Sequence, residues 1–245
     1  MLHQKIGSIT PHLEMLGDPG VPFYLVKGER WAVVEGGVSI MGPKVIADLS
    51  SHPDARERIS YLLITHSHFD HCGALPALKR TYPDAKIIAS RVAREVFLRP
   101  SAMAYIRSMN DALVRLLELD KTKFDFSIGD AIPVDQSVGE GDNIDLGNDV
   151  CLTVYDVPGH SRCSIALFME PDKVIFSGEA AGYYNGPNEV ISEGLSSYSE
   201  YLKSLKKMEG LKPEIICLPH NGVLIGDEAR GYFRLAYNCG VRFRE

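Results

Sequence analysis

The sequence is short of the features that mark several large classes of protein. It has five cysteines in 245 residues and no CxxC pair, which predicts reduced thiols and no disulfide framework. No apolar run approaches the ~18–20 residues that a membrane helix needs. The first ten residues also lack an apolar signal core. We therefore expect a cytoplasmic protein without a membrane-spanning segment.

Basic residues are outnumbered by acidic ones. The 26 Lys and Arg against 32 Asp and Glu leave a net charge of −6, which disfavours a general binder of nucleic acid. No segment recurs at a fixed period, so a repeat array is excluded. No Pro/Gly/Ser-rich linker divides the chain. We expect one domain over residues 1–245, with a helical insertion at about 91–119.

What is present is an alternation of strand-like and helical segments. The continuous apolar runs 61–64 and 86–89 are typical of strands buried on both faces. Apolar residues spaced three or four apart predict helix over 91–119, which Pro100 should divide into two helices. This alternation predicts an α/β fold with helices packed on sheets.

The strongest chemical signal follows the predicted strand 61–64, where the sequence reads THSHFDH. His66, His68, Asp70 and His71 place four potential metal ligands within six residues. Extended backbone at a strand end lets His66 and His68 point to the same side, and the following turn can aim the other two at a second ion. Imidazole and carboxylate suit zinc, iron or manganese, and a cysteine-based structural zinc site is not implied.

Three more candidates each lie just beyond a predicted strand: His160, Glu179 and His220. Each alone has an ordinary interpretation: His160 as a residue at a turn, Glu179 as a solvated carboxylate and His220 as a loop histidine. Ligand sites in α/β proteins gather where strands end, so these three can converge with the first motif.

Taken in order, these residues resemble the pattern of the metallo-β-lactamase-fold superfamily: His66, His68, Asp70, His71, His160, Glu179 and His220. Within it the sequence is similar to the 2-aminobenzoylacetyl-CoA thioesterases, the quinolone-signal response proteins. That likeness rests on the stretches 34–37, 65–76 and 178–182. The resemblance implies an αββα sandwich, in which two mixed β-sheets carry helices on their outer faces, plus a helical insertion over the active site.

The resemblance also implies two metal sites. His66, His68 and His160 would hold the first ion, Asp70, His71 and His220 the second, and Glu179 would bridge them. The bridging acid of the superfamily is usually Asp. The longer Glu179 therefore either bridges from a backbone that lies further back or binds one ion only.

The implied activity is that of a dinuclear-metal-dependent hydrolase. Two divalent transition metal ions, zinc or iron and alternatively manganese, would activate a bridging hydroxide that attacks a carbonyl ester, with Asp70 as the catalytic residue that orients it. A thiol leaving group, with a pKa around 8.5, needs little help from an acid. We therefore expect a small-molecule acyl thioester of the acyl-CoA kind as substrate, or a lactone. A homodimer is compatible with this interpretation.

Other functions use the same pattern. A lactonase or phosphodiesterase would need the same metals. A flavodiiron redox module usually carries Glu where this chain has His68, and it needs a flavin domain. A signalling or interaction protein with incidental hydrolysis is the third alternative.

Two groups of residues could contact a substrate. One is an apolar stripe on the helical insertion, comprising Met103, Ile106, Met109, Leu113 and Leu116. About half of this stripe should pack in the core, and the remainder could line an acyl pocket. The other is the pair Tyr183 and Tyr184, which either reach a substrate oxygen or form an aromatic pair at a strand end.

Overall fold

The computed structural model describes residues 1–120 and 131–244. The elements up to residue 138 are, in chain order, β1 (Leu2–His3), β2 (Gly7–Ser8), β3 (Leu13–Asp18), β4 (Val21–Lys27), β5 (Trp31–Val34), α1 (Gly42–Ser50), α2 (Ala55–Arg58), β6 (Ile59–Leu63), α3 (Phe69–Cys72), α4 (Leu75–Thr81), β7 (Lys86–Ser90), α5 (Arg91–Phe97), α6 (Pro100–Leu116) and β8 (Gln136–Val138). A 3-10 turn at Ser39–Met41 precedes α1.

The rest of the chain continues the same alternation. Its elements are β9 (Asn143–Gly147), β10 (Val150–Asp156), β11 (Ile165–Glu170), β12 (Val174–Phe176), β13 (Tyr183–Tyr184), β14 (Val190–Ile191), α7 (Tyr198–Gly210), β15 (Ile215–Cys217), β16 (Val223–Ile225) and α8 (Asp227–Arg244). A 3-10 helix, Gly178–Ala181, follows β12.

The strands form two mixed seven-stranded sheets. The first has the order β2-β3-β4-β5-β6-β7-β8, and the second has the order β1-β16-β15-β12-β11-β10-β9. Neighbours from β5 to β8 run parallel, as do β12 and β15, and the other pairs within the two sheets are antiparallel. Strands β13 and β14 pair separately as a short ribbon.

Alternation of side chains along the strands produces the layers. On β4, Tyr24 and Val26 face the second sheet, whereas Phe23 and Leu25 pack in the layer of α1, α4, α5 and α6. The Tyr24 ring lies 5.6 Å from that of Phe176 across the sandwich. Because successive side chains on a strand point to opposite faces, one apolar strand contributes to both layers.

Helices cover both outer faces. The face of the second sheet packs against α7 and α8 through Tyr201, Leu205 and Phe233. The order of layers is therefore helix, sheet, sheet, helix, and the predicted αββα architecture is confirmed. Within the described residues, no helix combines the length and apolarity needed to cross a bilayer.

The segment predicted as a helical insertion contains α5 and α6. Helix α6 begins at Pro100, which occupies the first helical position, where a missing N–H is harmless. The helix ends at Leu116, earlier than the predicted limit of residue 119. Met103 and Ile106 lie in the core beneath the helix, whereas Leu116 is exposed, so the predicted stripe does not act as one wall.

Candidate metal centre

The predicted metal ligands lie where strands of both sheets end at one edge. His66 follows β6 by three residues, Glu179 follows β12 by three, and His220 follows β15 by three. Since β12 and β15 are parallel, their carboxyl ends bring Glu179 and His220 together. His160 arrives from the end of β10, and the single turn α3 carries Asp70 and His71.

Glycine shapes the backbone immediately before two of these side chains. Gly178, with a φ of 49°, precedes Glu179, and a Cβ there would lie 2.8 Å from the Thr65 hydroxyl oxygen. Gly159, with a φ of 135°, precedes His160, and a Cβ there would collide with the backbone of Tyr201. Both turns therefore need a residue without a side chain, and both hold the following ligand close to a packed neighbour.

A first group of potential ligands consists of His66, His68, His160 and Glu179, whose ligand atoms all lie within 4.8 Å of one another. The Nε2 atom of His160 is 2.7 Å from Glu179 Oε2 and 2.9 Å from His68 Nδ1. His66 Nε2 lies 3.3 Å from the same carboxylate oxygen. Three imidazole nitrogens and one carboxylate thus face a common point.

A second group consists of Asp70, His71, His220 and again Glu179, within the same 4.8 Å limit. Asp70 Oδ2 lies 3.7 Å from Nε2 of both histidines. Glu179 Oε1 is 3.2 Å from His220 Nε2, and its Oε2 is 3.7 Å from His71 Nε2. The structure therefore brings all seven predicted residues together, with Glu179 common to both groups, as a bridging ligand would be.

Outward contacts orient three of the imidazole rings. Each Nδ1 meets an oxygen that only accepts: His71 meets Glu35 Oε2 at 2.8 Å, His160 meets the Glu193 carbonyl at 2.9 Å, and His220 meets the Gly20 carbonyl at 3.0 Å. The Nδ1 atoms must therefore carry protons, so each Nε2 atom, once it has no proton of its own, presents a lone pair to the centre. His68 is turned the other way and presents Nδ1.

The donor set fits divalent metal ions. The Nε2 atoms of His66 and His71 are buried and have no hydrogen-bond partner, although burying an unpaired polar atom is costly. Coordination by a cation would satisfy both atoms. Imidazole and carboxylate ligands are those preferred by zinc, iron and manganese in sites of this kind.

Electrostatics within the cluster suit the same interpretation. Burial, reinforced by the neighbouring His71, holds the pKa of His66 well below its ordinary value, so this ring is in the neutral form that binds metal. Burial opposes protonation of His71, but the charge and hydrogen bond of Glu35 raise its pKa to about 9. Burial also opposes ionisation of Glu179, yet hydrogen bonds from His160 and His220 keep its pKa well below its usual range. A metal ion would displace the proton of His71 on binding.

Glu35 contacts the ligand cluster from outside the predicted ligand set. It is buried directly after β5 and has a φ of 77°, which a residue with a side chain rarely adopts. It accepts hydrogen bonds from His71 and, at 2.7 Å, from the Thr65 hydroxyl, which lies 3.2 Å from His66 Nδ1. One carboxylate thus orients a histidine of each group. The available signal was an acidic residue at a strand end before Gly36-Gly37.

We expect Glu35→Gln to weaken the affinity for both metal ions by about 10-fold, the scale seen when a partner behind a metal ligand is lost. The amide keeps one acceptor oxygen where the carboxylate has two, so either His71 or Thr65 loses its partner. Competition titration with a chelator measures the change. The control Glu14→Gln removes a carboxylate that pairs with Lys27 and His52 instead. Wild-type affinity for both ions in Glu35→Gln would contradict the assigned role.

Another acidic side chain lies close to the centre. Glu193 provides the carbonyl that orients His160, and burial, with the charge of Glu179, raises the pKa of its carboxyl to about 7. This residue also was not predicted, because no motif precedes it in the sequence.

The two predicted tyrosines separate. The Tyr183 ring lies 6.0 Å from that of His220, at the edge of the centre. Tyr184 is buried against Tyr232, with ring centroids 6.1 Å apart. Of the pair, only Tyr183 is therefore placed to approach a substrate.

Comparisons with known proteins agree with this geometry. The family model described as the metallo-beta-lactamase superfamily matches residues 16–220. The chain is 27% identical over 215 residues to a metallo-beta-lactamase fold-containing protein of Sulfurisphaera tokodaii, covering 82% of this chain and 72% of that protein. It is 29% identical over 230 residues to an acyl-coenzyme A thioesterase of Homo sapiens, covering 88% of this chain and 77% of that enzyme.

A solved structure shows the same fold. It is an archaeal metallo-beta-lactamase superfamily protein from Sulfolobus tokodaii, with a TM-score of 0.69 and 22% identity. The superposition covers 96% of this chain and 87% of that one.

Proposed function

The chain belongs to the metallo-beta-lactamase superfamily, and we propose that it is a metal-dependent hydrolase of small-molecule acyl thioesters. The observation that carries the proposal is the pair of ligand groups that share Glu179. The similarity to acyl-coenzyme A thioesterases of vertebrates, at 28–29% identity, favours thioesters within this reaction class.

The positions of the seven residues indicate which ion each of them would bind. His66, His68 and His160 would hold one ion, and Asp70, His71 and His220 the other, with Glu179 between them. When bound, such ions supply Lewis acidity, which generates a nucleophile from water near neutral pH and polarises a carbonyl oxygen. Zinc, iron and manganese are the metals that this donor set suits.

Asp70 has a further role. Its Oδ2 faces His71 and His220, so the second carboxylate oxygen is available to accept a hydrogen bond from the attacking water. Its side chain is about one-fifth exposed (21%), so water can reach it. Asp70 would orient the nucleophile toward the carbonyl carbon, and Tyr183, beside His220, would border the substrate.

Among carbonyl substrates, a thioester needs the least help from an acid to release its leaving group. The departing thiol has a pKa near 8.5, so the thiolate can leave at neutral pH without first being protonated. An amide would need a proton delivered to its nitrogen as the bond breaks. Asp70 and the ligand set are therefore sufficient for a thioester.

The test combines metal analysis with a substrate panel. We expect purified protein to carry up to two ions of zinc, iron or manganese per chain, and to hydrolyse butyryl-coenzyme A in preference to an acyl-homoserine lactone or a phosphodiester. The double variant His66→Ala/His68→Ala should lose the first ion and the activity, since two of its three histidine ligands are gone. His3→Ala/His12→Ala removes two histidines outside both groups and should change neither.

Two results would contradict the proposal. One is a protein that contains no zinc, iron or manganese and gains no activity when they are added. The other is a metal-loaded protein that prefers the lactone or the phosphodiester, which would retain the metal centre but replace the substrate class.

A further inference from the structure

A cavity of about 450 Å³ opens beside the first ligand group, and its lining includes His68 and His160. The remaining walls come from α5, from the segment after His160 and from residues 195–196. This cavity, which we call the α5 cavity, therefore leads directly to two of the potential metal ligands. A substrate whose carbonyl lies at the metal centre can extend one of its two halves into it.

One wall of the α5 cavity is apolar and accessible. Val92 and Val96 lie four residues apart on α5 and therefore share one face of that helix, and Arg99, the residue before α6, also lines the cavity. Val92 is 41% exposed, and Leu195 across the cavity is 74% exposed. Exposed large apolar side chains that border a concave site are typical of ligand-binding surfaces.

Two arginines, Arg99 and Arg162, and one carboxylate, Glu95, line the cavity, so cationic side chains outnumber anionic ones there. Arg162 is exposed, and no carboxylate among the described residues forms an ion pair with it. Arg99 lies 3.9 Å from Glu95, but these side chains are 64% and 71% exposed, so their attraction is weak. Arg162 also lines an adjoining cavity of about 240 Å³, which places it between two concave surfaces. An unpaired arginine beside a cavity is notable in a chain of net charge −6.

We propose that the α5 cavity is a substrate subsite for an anionic group carried on an apolar segment, with Arg162 binding the anion and Arg99 supporting it. The planar fork of arginine matches the geometry of a carboxylate or phosphate, which it can bind through two parallel hydrogen bonds. The valines and Leu195 would cover the apolar segment. This subsite rests on the proposed function, because it assigns the part of a thioester that lies beside His68 and His160.

A thioester can carry the anion on either half. The acyl half can end in a carboxylate, and the thiol half can carry phosphates, as in coenzyme A. Four substrates separate the two sources: glutaryl and pentanoyl thioesters, each made with coenzyme A and with uncharged N-acetylcysteamine. Glutaryl and pentanoyl chains have the same number of carbons, so only the terminal charge differs.

Arg162→Gln should lower kcat/KM by about 10-fold for the substrates whose anion occupies the cavity, the scale of one lost charge-assisted hydrogen bond. The matched neutral substrates should change less than about 2-fold. Arg99→Gln should act in the same direction with a smaller effect, since Glu95 already offsets part of its charge. The control Arg94→Gln removes an exposed arginine of α5 that does not line the cavity, and it should leave the preference for anionic substrates unchanged.

Isothermal titration calorimetry measures ligand affinity at the α5 cavity independently of catalytic turnover. Purified wild-type protein should bind glutaramate more tightly than pentanamide, which lacks only the terminal carboxylate, or coenzyme A more tightly than N-acetylcysteamine, by about 10-fold, and Arg162→Gln should remove the difference. If no thioester is hydrolysed but this arginine-dependent preference is present, the proposed function fails and the anionic subsite stands. If thioesters are hydrolysed with the same preference in wild type and Arg162→Gln, the subsite is overturned and the function stands. Absence of both turnover and preference overturns both.

Discussion

Asp70→Asn is expected to lower kcat by at least about 10²-fold, the scale of losing one positioned catalytic group. The amide keeps the shape of the side chain but removes the negative charge that faces His71 and His220 at 3.7 Å. It also replaces one acceptor oxygen by a donor, so the attacking water loses its orientation. Steady-state kinetics on a thioester, together with metal content, measure both effects.

The fold should be spared by this change. Asp70 is partly exposed on α3 and asparagine has nearly the same shape, so the unfolding temperature should stay close to that of wild type. The control Asp142→Asn removes a half-exposed carboxylate that pairs with Arg91 and belongs to neither ligand group, and it should leave kcat unchanged. Near-normal turnover in Asp70→Asn would mean that catalysis does not run through this centre.

Glu179→Gln is expected to weaken both metal sites and to lower activity by at least about 10²-fold. The carboxylate lies 2.7 Å from His160 Nε2 and 3.2 Å from His220 Nε2, one nitrogen in each ligand group. A neutral amide is a poor bridge between two cations, because the shared negative charge is lost. Metal titration of the variant beside wild type would show two weakened sites. Unchanged stoichiometry and turnover would show that this carboxylate does not bind the metals.

Glu179→Asp restores the residue that the superfamily usually carries, yet we expect it to lose the second ion or activity. The side chain is shortened by one methylene, roughly 1 Å, and a displacement of that size can cost about 10²-fold in a positioned site. The backbone cannot easily follow, because Gly178 lies tightly against Thr65. Wild-type metal content and kcat in Glu179→Asp would contradict a backbone set for the longer side chain.

Much of the fold and of the ligand set could be predicted from local sequence. Continuous apolar runs predict β6 and β7, since a strand that is buried on both faces must carry apolar side chains on both. The THSHFDH motif predicts its four ligands because they are neighbours in the chain. The motifs at His160, Glu179 and His220 follow the same rule, with each residue just beyond a buried strand.

Elements with weaker sequence patterns were predicted less well. The strands β8, β9 and β16 do not emerge from the sequence pattern, because a strand of three residues or a strand at a sheet edge carries few buried residues. The stripe on α6 was predicted as a possible acyl wall, but α5 supplies Val92 and Val96 to the cavity beside His68. Helical spacing identifies an apolar face, and it does not say whether the core or a ligand will cover that face.

Which side chains are potential metal ligands follows from the amino-acid sequence alone, because ligand chemistry belongs to the side chain and close spacing is local. How these residues are shared and supported depends on the tertiary structure. Glu179 belongs to both ligand groups because β12 ends between β11 and β15, and Glu35 supports His71 because β5 lies parallel to β6. Arg162 reaches the α5 cavity for the same reason, although about 70 residues of sequence separate it from α5. Such contacts follow from strand order and packing, and no local pattern encodes them.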